Sequence, residues 1–202
     1  MGRGRRPTRR RSDRAAGPPK IPRRLPRPIG EDELLRAILT AGPRMRAWLV
    51  LAAWAGLRAM ELAARRREDI HEHDDPPMLV VRDGKGQKGR AVPLSRLVLD
   101  ELAPILDAHD SAHPWLFPSR LDHRRSVSAG TVSNLANEHL RSLGIPDTLH
   151  SLRHRFASEL YRVTLDLRLC QEMLGHASPA TTAIYTAFSP TRAAAAVQEM
   201  GR

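Results

Sequence analysis

The residues best suited to chemistry lie between Thr148 and Ser189, where the chain reads TLHSLRHRFASELYRVTLDLRLCQEMLGHASPATTAIYTAFS. Thr148 is a natural N-cap, and on the helix it opens His150, Arg153 and His154 share one face through their i, i+3, i+4 spacing. Leu174-Gly175-His176 follows, and Tyr185 comes after eight further residues. A guanidinium is planar, permanently charged and shaped to grip two phosphate oxygens at once. A tyrosine phenol can attack phosphorus and form a covalent ester. If these groups converge, the chemistry they predict is phosphoryl transfer through a phosphotyrosine. Each residue alone has a plainer reading: a lone histidine is structural by default, and a lone arginine is a surface charge.

Two upstream stretches complete the pattern. Ala55-Gly56-Leu57-Arg58-Ala59-Met60-Glu61-Leu62 directly follows a strongly apolar run, so Arg58 stands where a turn or helix start would aim it into a cleft. Asp83-Gly84-Lys85-Gly86-Gln87-Lys88-Gly89-Arg90-Ala91-Val92-Pro93-Leu94 reads as a glycine-rich turn running into a strand. Its glycines permit close approach to a ligand, and its lysines can reach outward. In this order, H-x-x-R-H, L-G-H and the tyrosine nine positions on resemble the tyrosine recombinases, the phage integrase family. The Arg58 block resembles the one holding that family's first catalytic arginine, and the Lys85 turn resembles its lysine-bearing hairpin. The resemblance runs from about Pro28 to Gly201.

The resemblance implies site-specific cleavage and rejoining of double-stranded DNA through a 3′-phosphotyrosine. The implied catalytic set is Arg58, Lys85, His150, Arg153, His176 and the nucleophile Tyr185. Arg58, Arg153 and His176 would hold the charge that builds on the phosphate oxygens, His150 would act as base or positioning group, and Lys85 would protonate the leaving 5′ oxygen. Lys88 and Arg90 are expected to contact DNA, and Glu61 either orients Arg58 or pairs with it on the surface. His154 stays outside the catalytic set. No cofactor, metal or ATP is implied. The expected partners are a homo-oligomer, a tetramer on DNA, and accessory proteins. Family members usually carry an N-terminal core-binding domain, which this chain is expected to lack. Other readings of the same residues are a truncated remnant, an accessory DNA-binding protein, or a type IB topoisomerase-like enzyme.

The elements that must position these groups are mainly helical. Gly30 with Glu31, Asp32 and Glu33 marks a helix start, and Leu34, Leu35, Ile38 and Leu39 form its expected apolar stripe. Met45 to Trp54 is apolar nearly all round, as in a buried helix, with Trp48 and Trp54 as core. Arg65-Arg66-Arg67 reads as a solvated or DNA-facing edge. His71-Glu72-His73-Asp74-Asp75 has metal-ligand residue types but reads as a connecting loop. Met78–Asp83 and Arg90–Leu94 are expected strands of one hairpin. Helices are expected over Ser95–His109, Ser128–Leu143, from Thr148 onward, and over Leu165–Leu174 ending at Gly175. Asn134, Asn137 and His139 read as a solvated face. Ser178-Pro179 and Ser189-Pro190 mark two further helix starts, the first carrying Tyr185. The order gives an α+β fold, mainly α, with one small hairpin.

Composition sets the boundaries. Of the net charge of +11 in 202 residues, +10 falls in residues 1–28, which hold eleven Lys/Arg, among them Arg3, Arg5, Arg6, Arg9, Arg10 and Arg11, against Asp13. That segment is too polar to build a core and reads as a disordered basic arm suited to DNA phosphates. Residues 29–202 read as the catalytic domain. With one cysteine, Cys170, no intramolecular disulfide can form. The longest apolar run is about half of the ~20 residues a membrane-spanning helix needs. The expected location is cytoplasmic, with the nucleoid.

Overall fold

In the computed structural model, residues 28–82 and 89–175 are described. Seven helices and a small sheet lie within them, so the expected class, α+β and mainly α, holds. Helix α1 (Glu31–Leu39) starts at Gly30, whose N–H donates to Glu33 Oε2 at 3.2 Å. Only half of its expected stripe faces inward. Leu34, Ala37 and Ile38 are buried, whereas Leu35 and Leu39 are exposed.

Helix α2 (Pro43–Trp54) is the centre of the molecule. Every residue from Ala47 to Ala53 is buried, as a helix apolar on all sides requires. It packs against α4 (Arg96–Asp107) and α6 (Leu149–Thr164), and Trp48 meets Phe117 edge-on at 5.8 Å. The chain leaves α2 through Gly56 into the short α3 (Ala59–Ala63). The sheet is antiparallel with order β1 (Ile70–His71), β2 (Met78–Val81), β3 (Arg90–Pro93). The third strand is an addition to the expected hairpin: Ile70 pairs with Leu79 and His71 with Met78.

Ser95 precedes α4, whose Val98 and Leu102 are fully buried. Helix α5 (Ala129–Ser142) is capped by Ser128, whose Oγ accepts the Thr131 N–H at 3.0 Å, and it ends before Gly144. Helices α6 and α7 (Leu167–Leu174) meet at Leu165 and Asp166, and Asp166 caps α7 by accepting the Leu169 N–H at 2.9 Å. Gly175 then ends α7 in the left-handed region, φ 61°. Cys170 is buried, and burial raises its thiol pKa above the usual value. Among the described residues no helix is long and apolar enough to cross a membrane, and no group of three or more His, Cys, Asp or Glu could hold a metal ion. The acidic loop pairs internally instead, with His71 beside Asp74 and Arg67 bound to Glu72.

Candidate active site

Local geometry first explains why Arg58 stands where it does. Gly56 turns the chain at φ 67°, a conformation that costs glycine little and other residues more. A Cβ there would also lie 2.5 Å from Phe156 Cδ1, so α6 packs directly on the glycine backbone. Arg58 is therefore delivered as the N-cap of α3, and its backbone N–H donates to Glu61 Oε2 at 2.9 Å. Its guanidinium donates to Glu61 Oε1 at 3.0 Å while remaining 31% exposed.

Glu61 is the hub. It is buried rather than paired at the surface, and it gathers three arginines from three separate elements. Arg90 of β3 grips it bidentately, Nη1 to Oε1 at 2.8 Å and Nη2 to Oε2 at 2.9 Å. Arg153 of α6 places Nη1 3.7 Å from Oε2. A carboxylate offers about four acceptor positions, and the two bonds from Arg58 and the two from Arg90 fill them. Burial alone would raise the Glu61 pKa. The Arg90 fork, the Arg58 N–H and the charge of Arg153 outweigh it and hold the carboxyl at about 2. Three guanidiniums around one carboxylate leave a local surplus of positive charge.

The same arginines finish α7. The last carbonyls of a helix have no partner inside it. Here Met173 O accepts from Arg90 Nε at 2.8 Å, and Leu174 O accepts from Arg153 Nη2 at 2.7 Å. Arg153 Nη1 also donates to Gly56 O, so one buried fork ties the turn before Arg58 to the turn before His176. Cations at a helix C-terminus also complement its dipole.

His150 and His154 stack edge-on on α6, ring centroids 4.4 Å apart. Burial, with Arg153 and Arg58 nearby, lowers the His150 pKa from its usual value. His154 is lowered to about 4, by burial first and then by His150 and Arg153. Both imidazoles are thus neutral at pH 7.

Several readings of the sequence change. Arg90 was expected at a DNA surface, but its side chain is 10% exposed and all three of its guanidinium nitrogens are bonded inside the protein. Arg65 was expected on a solvated or DNA-facing edge, but it is buried; its Nε donates to Glu61 O at 2.6 Å, its Nη1 bonds Val80 O, and Asp69 lies 3.5 Å away. Its signal was the spacing i, i+4 to Asp69, which a run of three arginines masks. Asn137 was taken as a solvated face. Its Oδ1 accepts the Leu149 N–H at 2.8 Å and so holds the first turn of α6, while the His139 ring bonds Ala37 O. Asn134 is exposed as expected. Lys85, Lys88, His176, Tyr185 and the arm residues Arg3, Arg5, Arg6, Arg9, Arg10 and Arg11 lie outside the described residues.

Comparison with known proteins decides the family. The sequence model of the phage integrase family matches residues 30–192. The chain belongs to that family. Within it, the chain is 37% identical to tyrosine recombinase XerA of Pyrococcus horikoshii over 170 residues, covering 83% of this chain and 59% of that protein. It is 38% identical to tyrosine recombinase XerC of Methylobacterium sp. strain 4-46, covering 86% of this chain and 58% of that protein. The integrase-family chain thus spans somewhat under two thirds of the length of the curated relatives it matches. The crystal structure of a XerA recombinase superposes with a TM-score of 0.73 at 33% identity, covering 91% of this chain and 65% of that one. A XerH site-specific recombinase bound to its difH substrate in a pre-cleavage complex superposes at 0.70 with 26% identity, covering 86% of this chain and 54% of that one. The mainly helical fold with a small antiparallel sheet is therefore that of tyrosine recombinase catalytic domains.

Proposed function

We propose that this chain cleaves and rejoins double-stranded DNA at a specific site through a 3′-phosphotyrosine. The observation that carries the reading is the Glu61-centred cluster, which brings Arg58 and Arg153 to one place from separate segments with positive charge in surplus. A phosphodiester resists attack because an anion must accept a nucleophile and charge grows on its non-bridging oxygens. Guanidiniums fixed before the substrate arrives stabilise that charge without reorganising. Removing one such donor typically lowers a rate on the order of 10²–10³-fold.

In the proposed step the Tyr185 oxygen bonds to phosphorus, the bond from phosphorus to the 5′ oxygen breaks, and Lys85 protonates the departing oxygen. His176 adds a donor beside the two arginines. A phenol titrates near pH 10 and needs help at neutral pH. His150, neutral because burial and the two arginines hold its pKa down, is suited to accept that proton or to steer it. The ester retains the bond energy, so attack by a free 5′ hydroxyl reverses the step without ATP. Residues 29–202 form the catalytic domain and residues 1–28 a basic DNA arm. The assembly is a tetramer on DNA, associated with the nucleoid and with accessory proteins. The XerH complex, with its difH substrate bound, supports DNA as the partner.

The test uses duplexes from the genomic sequence flanking the coding region, nicked or carrying a 5′-bridging phosphorothiolate to trap the ester. The parent chain should form a denaturation-resistant protein–DNA adduct, and Tyr185→Phe should form none. An adduct that persists in Tyr185→Phe, or a parent chain that never forms one on these duplexes, overturns the proposal.

A further inference from the structure

Arg90 is a buried cation that the proposed chemistry does not use. It sits at the start of β3, five positions after Lys85 in the sequence, and its guanidinium crosses to two other elements. Two nitrogens clasp Glu61 of α3, and the third bonds Met173 O at the end of α7. Gly175 completes the fit. A Cβ on that residue would lie 2.9 Å from Arg90 Nη1, so the glycine leaves room for the guanidinium as well as adopting a positive φ. The α7 turn is thus moulded on Arg90, and His176 is the next residue along the chain.

We infer that Arg90 is a positioning residue that sets the C-terminal turn of α7 against the Arg58–Glu61–Arg153 cluster; this rests on the strand-cleavage reading above. The guanidinium works as a three-way strut. It fixes Glu61, which orients Arg58, and it fixes the turn from which His176 departs. The same residue is the first paired residue of β3, opposite Val81, so the strut is anchored in the sheet. A lysine keeps the charge but has no planar fork to span both carboxylate oxygens and a carbonyl.

Two variants test this, Arg90→Lys and Gly175→Ala, the second pressing on Arg90 from the other side. One measurement is amide hydrogen exchange at Gly175, whose N–H donates to Glu172 O at 3.1 Å, with amides of α2 and α4 as the reference. Exchange at Gly175 should quicken about 10-fold or more in Arg90→Lys while the reference amides hold. The other is trapped-adduct formation at saturating DNA, alongside the Kd. A misplacement of about 1 Å can lower a rate by 10²-fold, so the rate should fall about 10- to 100-fold with the Kd within about 3-fold. Unchanged exchange at Gly175, loosening spread equally over α2 and α4, or a rate loss matched by a weaker Kd would each overturn the inference. A parent chain without any adduct would fail the strand-cleavage reading alone, and the exchange arm would still decide the role of Arg90.

Discussion

Glu61 carries one negative charge among three guanidiniums, and the energetic weight of the site rests on that imbalance. Its carboxyl is held at about 2, against roughly 4.3 in an unfolded chain, because Arg90, Arg58 and Arg153 together outweigh the cost of burying it. A folded pKa below the unfolded one means the unfolded chain binds the proton more tightly. The stabilisation is therefore fully present above about pH 4.5 and disappears as pH falls towards 2. A difference of a little over two pKa units corresponds to about 3 kcal/mol. Glu61→Gln keeps the shape but leaves Arg90 and Arg153 as buried cations without their anion, which typically costs 3–5 kcal/mol. The expected outcome is a loss of about 3 kcal/mol in urea unfolding at pH 7, shrinking as the parent is titrated from pH 4.5 towards 2. Equal stability of parent and variant at pH 7 would show that the carboxylate is not the hub. Little of this was legible in the chain. His150 and Arg153 stand out through their helical spacing, and Arg58 only through the family resemblance of its block. The burial of Glu61, Arg65 and Arg90 is a tertiary property, and a charged residue in a polar stretch looks the same whether solvent or a guanidinium faces it.

At the scale of elements, the site depends on how closely α6 packs on the turn between α2 and α3. Gly56 gives that turn its positive φ, lends its carbonyl to Arg153 and leaves no space between its Cα and Phe156. Gly56→Ala therefore meets two penalties. The left-handed backbone costs about 1 kcal/mol, and a Cβ overlapping an aromatic carbon forces α6 outward, which in packed cores typically costs 1–3 kcal/mol more. Gly56→Ala should lower stability by about 2–4 kcal/mol. The double variant Gly56→Ala/Phe156→Leu should lose less than the sum of the two single changes, since the clash is shared and the backbone strain is not. Strict additivity in urea unfolding would place the penalty in the backbone alone. The elements themselves were readable where the pattern was strong. The largely apolar α2, α4 starting after Ser95, the serine-capped α5 and the glycine-ended α7 follow from periodicity and caps. The pattern was weaker elsewhere. Strand β1 has only two residues, too few for alternation to show. Leu35 and Leu39 match the stripe of α1 in spacing, but α1 packs against α2 and only Leu34, Ala37 and Ile38 of it are buried. Asn137 lies on an amphipathic polar face, and its bond to Leu149 comes from α6 starting beside it.

Across the whole molecule, positive charge is divided between two tasks. Residues 29–202 carry a net charge of about +1, and many of their arginines are committed internally: Arg65 and Arg82 to Asp69, Arg67 to Glu72, Arg90 to Glu61. A scaffold whose bases are bound to its own carboxylates gains little by releasing counterions from DNA. Residues 1–28 hold +10 with a single acid among them, so the DNA arm proposed above is expected to supply the long-range attraction. Each phosphate neutralised on duplex DNA steepens the slope of log K against log salt by about 0.9. If about five of the eleven bases meet phosphate, removing residues 1–28 should flatten the slope by about 4 to 5. It should also weaken binding most at low salt, where the unreleased counterions count most. The cluster around Glu61 is untouched by that deletion, so the single-turnover rate of adduct formation at saturating DNA should change far less than the affinity. Fluorescence anisotropy at a series of salt concentrations measures the slope, and the trapped-adduct assay measures the rate. A deletion that leaves the slope as it was would move the electrostatic grip off the arm and onto the domain that carries Arg58 and Arg153.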